Sequence, residues 1–185
     1  MNTLFGGCLL VGGLTLLSAP ARAQQVTVVG PERARYELGA DLSAAFTKPS
    51  GDDIGLDMGL PVDVRVGILT DQPLMWEPRL SVAVQTLGTT TYRIVPGVNV
   101  LYHLNRETAT SGLMRAPYVT GGVALNFFAF GTSWTQLSLD GGVGKRVPFG
   151  SSAARFEGFL GYMFAGGGHP SNVTLGTRIG LSFWH

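Results

Sequence analysis

Cysteine is almost missing from this 185-residue chain, and its one thiol, Cys8, lies within the first ten residues. Beyond that point, disulfides and cysteine catalysis are excluded. Charge is scarce as well, at 14% of residues, and neither sign dominates: 13 Lys and Arg stand against 12 Asp and Glu. A nucleic-acid surface, which rests on a basic excess, has no support in that composition. Long hydrophobic runs are also lacking. The longest, near the N terminus, is well short of the roughly 20 apolar residues that a helix needs to cross a bilayer. Histidine is limited to His103, His169 and His185, with no second His or Cys at metal-ligand spacing, so neither a metal nor a cofactor is expected.

The N terminus contains Leu9-Leu10-Val11-Gly12-Gly13-Leu14-Thr15-Leu16-Leu17, followed by Ala21-Arg22-Ala23. A short apolar run before a small-x-small site predicts a secretory signal over 1–23, cut before Gln24. No Lys or Arg precedes the run, which leaves the terminal amine as its positive end. A lipoprotein reading of Phe5-Gly6-Gly7-Cys8 is disfavoured because the apolar segment follows the cysteine instead of preceding it. Residues 24–34 then form a short polar lead, and 35–185 a single domain.

Within that domain the hydrophobic period is two. Tyr36, Leu38, Ala40, Leu42, Ala44 and Phe46 oppose Arg35, Glu37, Gly39, Asp41, Ser43 and Thr47. After a turn at 48–53, Ile54, Leu56, Met58, Leu60, Val62, Val64, Val66 and Ile68 alternate with Gly55, Asp57, Gly59, Asp63, Arg65 and Gly67. A helix would scatter both sets around its axis. Further runs cover Trp76–Leu87, Thr91–Leu104, Tyr118–Phe130, Trp134–Val147, Ala153–Ala165 and Asn172–His185. About eight strands result, each long enough for a tilted membrane strand of roughly 9 to 11 residues.

Polarity decides between a soluble and a membrane barrel. The apolar faces are nearly free of charge, whereas the opposite faces collect Arg35, Glu37, Asp41, Asp57, Asp63, Arg65, Glu77, Arg79, Arg93, Asp140, Arg155, Glu157 and Arg178 among many glycines. Glycine has little use on a solvated strand face, but inside a narrow barrel it leaves room for long charged neighbours. With the export signal, this predicts an all-β, eight-stranded antiparallel up-and-down transmembrane β-barrel, apolar outside and polar inside.

With both termini periplasmic, Tyr36, Trp76, Tyr102, Tyr118, Phe156 and Phe183 fall near one rim. Phe46, Tyr92, Phe127, Trp134, Tyr162 and Phe164 fall near the other. Two aromatic girdles at headgroup depth are the expectation.

The final run ends Gly180-Leu181-Ser182-Phe183-Trp184-His185, with Val173, Leu175, Ile179, Leu181 and Phe183 on one face. It resembles the C-terminal closing strand of bacterial outer-membrane β-barrels, which serves as an assembly signal. The domain as a whole resembles the small eight-stranded members of that group, such as the outer membrane protein A transmembrane domain and the X and W types. That resemblance implies residence in the outer membrane, contact with its lipid, and recognition of Leu181, Phe183 and His185 by the barrel-assembly machinery. His185 departs from the pattern, since an aromatic ring is usual at that position.

The inward charges, six basic and seven acidic, are nearly balanced, which favours mutual pairing over an ion-selective wall. An eight-stranded barrel is just wide enough for its own side chains to fill. A structural or envelope-interaction role is therefore expected, with Arg178 of the last strand pairing with Asp41 of the first and Asp140 as a third member. The alternative is a narrow pore or a carrier for small hydrophobic molecules, with Val119, Phe159 or Met163 at a lateral opening. Catalysis is disfavoured. A lipid-modifying hydrolase needs a nucleophile and a base together, and His103-Leu104-Asn105 offers no serine, while Ser133 and Ser171 have only His169 nearby. His103 reads as an inward polar filler and His169 as a solvated loop tip. Gly141-Gly142-Val143-Gly144 lacks the Lys-Ser/Thr and the helix of a phosphate loop, and reads as close packing. The longest connection, 105–117, lies on the periplasmic side, the reverse of the usual pattern of long outer loops.

Overall fold

A computed structural model describes residues 36–51, 55–57, 62–70, 73–85, 91–104, 115–130 and 132–185. The signal over 1–23, the lead over 24–34, Arg35, the connection at 88–90 and most of the 105–117 connection lie outside the described residues. Nine strand segments follow one another: β1 (Tyr36–Pro49), β2 (Gly55–Asp57), β3 (Val62–Leu69), β4 (Leu74–Gln85), β5 (Thr91–His103), β6 (Tyr118–Phe130), β7 (Thr132–Phe149), β8 (Ser152–Met163) and β9 (Asn172–Trp184).

These segments make eight staves. β2 pairs with β1 around Phe46 and β3 pairs with it from Tyr36 to Leu42, so the two short segments are successive parts of one stave. The remaining strands pair antiparallel in chain order, and β1 closes on β9 from Glu37↔Trp184 to Pro49↔Asn172. Closure runs to the last residue, because Tyr36 and His185 exchange backbone hydrogen bonds of 3.2 and 3.0 Å. Among the described residues no edge is left open.

Strand ends extend past the sequence reading. β1 continues through Lys48 and Pro49, assigned above to a turn, because β9 offers them partners up to Asn172. β7 is likewise longer at both ends, since its two hairpins stay paired to Phe130↔Thr132 and Phe149↔Ser152. Gly150, at a φ of 61°, makes the reversal between β7 and β8.

Exposure alternates along every stave whose side chains are described. Leu38, Leu42, Val64, Leu80, Ile94, Leu139, Leu175 and Ile179 face outward and are exposed, while Glu37, Asp41, Arg65, Glu77, Arg146 and Arg155 face inward and are buried. The inside is thus the polar side. A buried apolar cluster of Met75, Leu101, Tyr118, Ala153 and Trp184 lies within it, at the end where Tyr36 and His185 meet. That end is called the terminal end below.

Candidate functional site

A strand pleat sends alternate residues inward, and antiparallel register then brings inward residues of neighbouring staves to one height. In the terminal half the result is one continuous charge lattice. Arg65 on β3 donates to Glu37, to Asp41 at 2.8 Å, to Glu77 at 3.3 Å and to the Ser182 hydroxyl at 2.7 Å. It fits because Gly39 sits opposite on β1, where a Cβ would collide with the guanidinium. Arg155 on β8 donates to both oxygens of Glu77, at 2.6 and 3.3 Å, to Glu157, and to the Tyr118 hydroxyl at 2.7 Å. Its guanidinium also lies 3.7 Å from Asp41.

Arg146 on β7 completes the lattice. Its Nη2 lies 2.8 Å from Glu37, and its Nη1 is 3.0 Å from His103 Nε2. The guanidinium also lies 4.8 Å from the centre of the Tyr118 ring and 5.4 Å from that of Trp184. Because Arg146 can only donate, His103 Nε2 accepts and its Nδ1 donates to the Pro73 carbonyl at 3.3 Å. A neutral His103 is thereby held in one tautomer.

Toward the opposite end the pairing thins. Arg79 binds Asp63, and Arg178 binds Glu157 at 2.5 Å and Asp140 at 3.1 Å while lying 3.9 Å over the Phe159 ring. Beyond these, amides and rings take over. Arg93 donates to Asn126 at 2.6 Å, Asn126 donates to Ser138 at 2.8 Å, and Gln136 ties down the carbonyls of Phe164 and Pro170 at 3.1 and 3.2 Å.

All ten inward charges singled out in the sequence, Glu37, Asp41, Asp63, Arg65, Glu77, Arg79, Asp140, Arg155, Glu157 and Arg178, therefore take part in ion pairs. The proposed seam pair is corrected. Arg178 stands level with Ser43, one inward position beyond Asp41, and it turns to Glu157 on the adjacent stave, while Asp41 bonds Arg65. Asp140 is its partner as the sequence suggested. The side chain of Asp57 lies outside the described residues. Arg146 was missed, although it shares the inward parity of Asp140; adjoining Lys145 disguised the alternation.

Of the twelve girdle aromatics, Tyr36, Trp76, Tyr102, Phe156 and Phe183 face outward toward the terminal end. Phe46, Tyr92, Phe127, Tyr162 and Phe164 face outward toward the other. Two are corrected. Tyr118 is buried, with its hydroxyl donating to Glu157 at 3.0 Å, because it has the parity opposite to Val119. Gly144 opposite provides the room for its ring. Trp134 shares the inward parity of Gln136 and stacks at the far mouth between Phe128, at 4.9 Å, and His169, at 4.1 Å. His169 is accordingly a packed ring as well as a loop tip. Leu181 and Phe183 face outward, and His185 is held by its backbone to Tyr36.

Of the three residues suggested for a lateral opening, Val119 faces outward and Met163 is buried inward, while Phe159 lies under Arg178 and lines an open groove on the barrel wall.

A closed eight-stranded barrel, apolar outside and ion-paired inside, has the fold of the small outer-membrane β-barrels. Neisserial surface protein A has a similar solved structure, with a TM-score of 0.62 and 12% identity over 82% of this chain and 98% of that one. Two further similar structures are Ail, the attachment invasion locus protein of Yersinia pestis, and the N-terminal β-barrel domain of Pseudomonas aeruginosa OprF. Ail has a TM-score of 0.48 and 10% identity over 82% of this chain and 100% of that one. The OprF domain has a TM-score of 0.39 and 14% identity over 77% and 96%. No family model and no curated protein sequence matches this chain.

Proposed function

We propose that the protein is an integral barrel of the bacterial outer membrane with a structural or envelope-interaction role, and that its interior is a plug of paired charges. The observation that carries this reading is the inverted polarity, with exposed Leu, Val, Ile and aromatic side chains outside and buried Arg–carboxylate pairs inside. Water would penalise such an exterior, whereas hydrocarbon suits it. The guanidinium groups of Arg65, Arg146 and Arg155 each reach partners on several staves, so a solute path through the terminal half would have to break several buried ion pairs at once.

In this reading the ten outward aromatics sit at the two headgroup levels, and lipid contacts the belt between them. Leu181, Phe183 and His185 engage the barrel-assembly machinery on export, after removal of residues 1–23. No catalysis is assigned. Membrane fractionation combined with heat-modifiable gel migration tests the reading: the folded protein should sediment with the outer membrane and migrate faster unheated than boiled. Recovery wholly in the soluble periplasm would remove it.

A further inference from the structure

The outward residues of β8 are Ala154, Phe156, Gly158, Leu160 and Tyr162, and the glycine at 158 has no packing reason to be there. A Cβ added to it would meet nothing within 4 Å, in contrast to the crowded inward Gly39. A strand glycine weakens its strand, so the hollow is retained at some cost in stability. Register extends that hollow across three staves. Gly158 pairs with Thr177, and Thr177 pairs with Ala44, giving a row of small outward residues that ends against Val143 on β7. On the far-end side this row is flanked by Leu160, Leu175 and Phe46; on the terminal side by Phe156, Ile179 and Leu42. Beside the far-end flank lies an open apolar groove of about 760 Å³, lined by Leu160, Leu175 and Phe46, floored by Gly158, Thr177 and Ala44, and reaching the inward Phe159 and Gly176. An apolar cavity of about 150 Å³ already takes up benzene.

A single charge stands beside the groove, outside its lining. Lys145 is the next outward residue on β7 after Val143 and pairs with Phe156, in the ring-bearing zone of the terminal end. It is exposed and has no ion-pair partner among the described residues. Within the described strands, the other outward Lys or Arg is Lys48, at the opposite rim. A lysine on the lipid face is tolerated where its stem lies along apolar surface and its ammonium reaches headgroup depth.

We infer that this groove docks one anionic phospholipid of the periplasmic leaflet, its phosphate on the Lys145 ammonium and one acyl chain across Gly158, Thr177 and Ala44. A cation two positions along β7 from the lining Val143, and an apolar floor leading away from it, match a single amphiphile. The inference rests on the membrane reading above and adds a specific lipid to it.

Native mass spectrometry of the whole folded barrel, released from detergent with added phosphatidylglycerol or phosphatidylcholine of equal chain length, tests it. The wild-type protein should retain one phosphatidylglycerol and prefer it over phosphatidylcholine. Gly158→Leu, whose Cβ would meet nothing within 4 Å, fills the floor and should lower retention of both lipids roughly tenfold. Lys145→Gln should abolish the preference while leaving the folded barrel intact. Retention by Gly158→Leu equal to wild type, a preference that survives Lys145→Gln, or a dimer lost with Gly158→Leu would each overturn the proposal. A barrel that is heat-modifiable in lipid yet retains no phospholipid refutes the groove alone, whereas failure to insert at all refutes the membrane reading.

Discussion

The two halves of the barrel interior are filled by different chemistry. In the terminal half, Arg65, Arg146 and Arg155 are each shared among several acceptors on different staves, and nearly every bond is buried. From mid-height toward the opposite end, Arg79–Asp63 is largely a two-body pair, Arg93 donates to Asn126, and the mouth is closed by stacked rings and Gln136. The contrast shows how a narrow barrel is sealed. Where Tyr36 and His185 meet, a lattice fixes many staves to one another; at the far mouth, local contacts fasten one turn at a time.

Substitution at the centre of the lattice should have the largest effect. Arg155→Met leaves Glu77 and Glu157 short of their main partner, and the expected loss is about 3 to 5 kcal/mol. The urea midpoint of refolding into lipid vesicles measures it, and a loss no greater than that of Arg79→Met would erase the distinction between the halves. Tyr118→Phe removes a hydroxyl that bridges Arg155 and Glu157, at an expected cost of about 1.5 to 3 kcal/mol by the same assay. An outward Tyr118 would instead give no loss.

Coupling sharpens the comparison further. A double-mutant cycle on Glu157→Gln and Arg178→Gln should show an interaction of about 0.5 to 3 kcal/mol, because these side chains bond directly. The same cycle on Asp41→Asn and Arg178→Gln should be additive to within about 0.5 kcal/mol, since each has other partners. Coupling of the second pair as strong as the first would restore the seam pair. The smallest effect belongs to the far mouth. Trp134→Leu should cost about 0.5 to 1.5 kcal/mol for each lost ring pair, and accelerated proteolysis confined to the turn at Gly166–His169 would report it. A global loss of stability would mean that the mouth, too, is part of the lattice.

Local pattern was enough for the strands, their antiparallel succession and the face of nearly every residue. Period two is a property of the pleat, and a slip by one residue would place Glu37, Asp41 and Arg65 in lipid. Parity also sufficed for Arg146, Tyr118 and Trp134, had the neighbouring Lys145, Val119 and Ser133 been used to set the phase. Height was another matter. The second stave is split into β2 and β3, and the stagger between staves depends on every hairpin around the ring, which local pattern does not specify. The closed barrel alone sets Arg178 beside Glu157 and gives Asp41 to Arg65. A long guanidinium inside a narrow barrel reaches across staves, so its partner is set by the summed register and by the glycines that leave it room, as Gly39 does for Arg65.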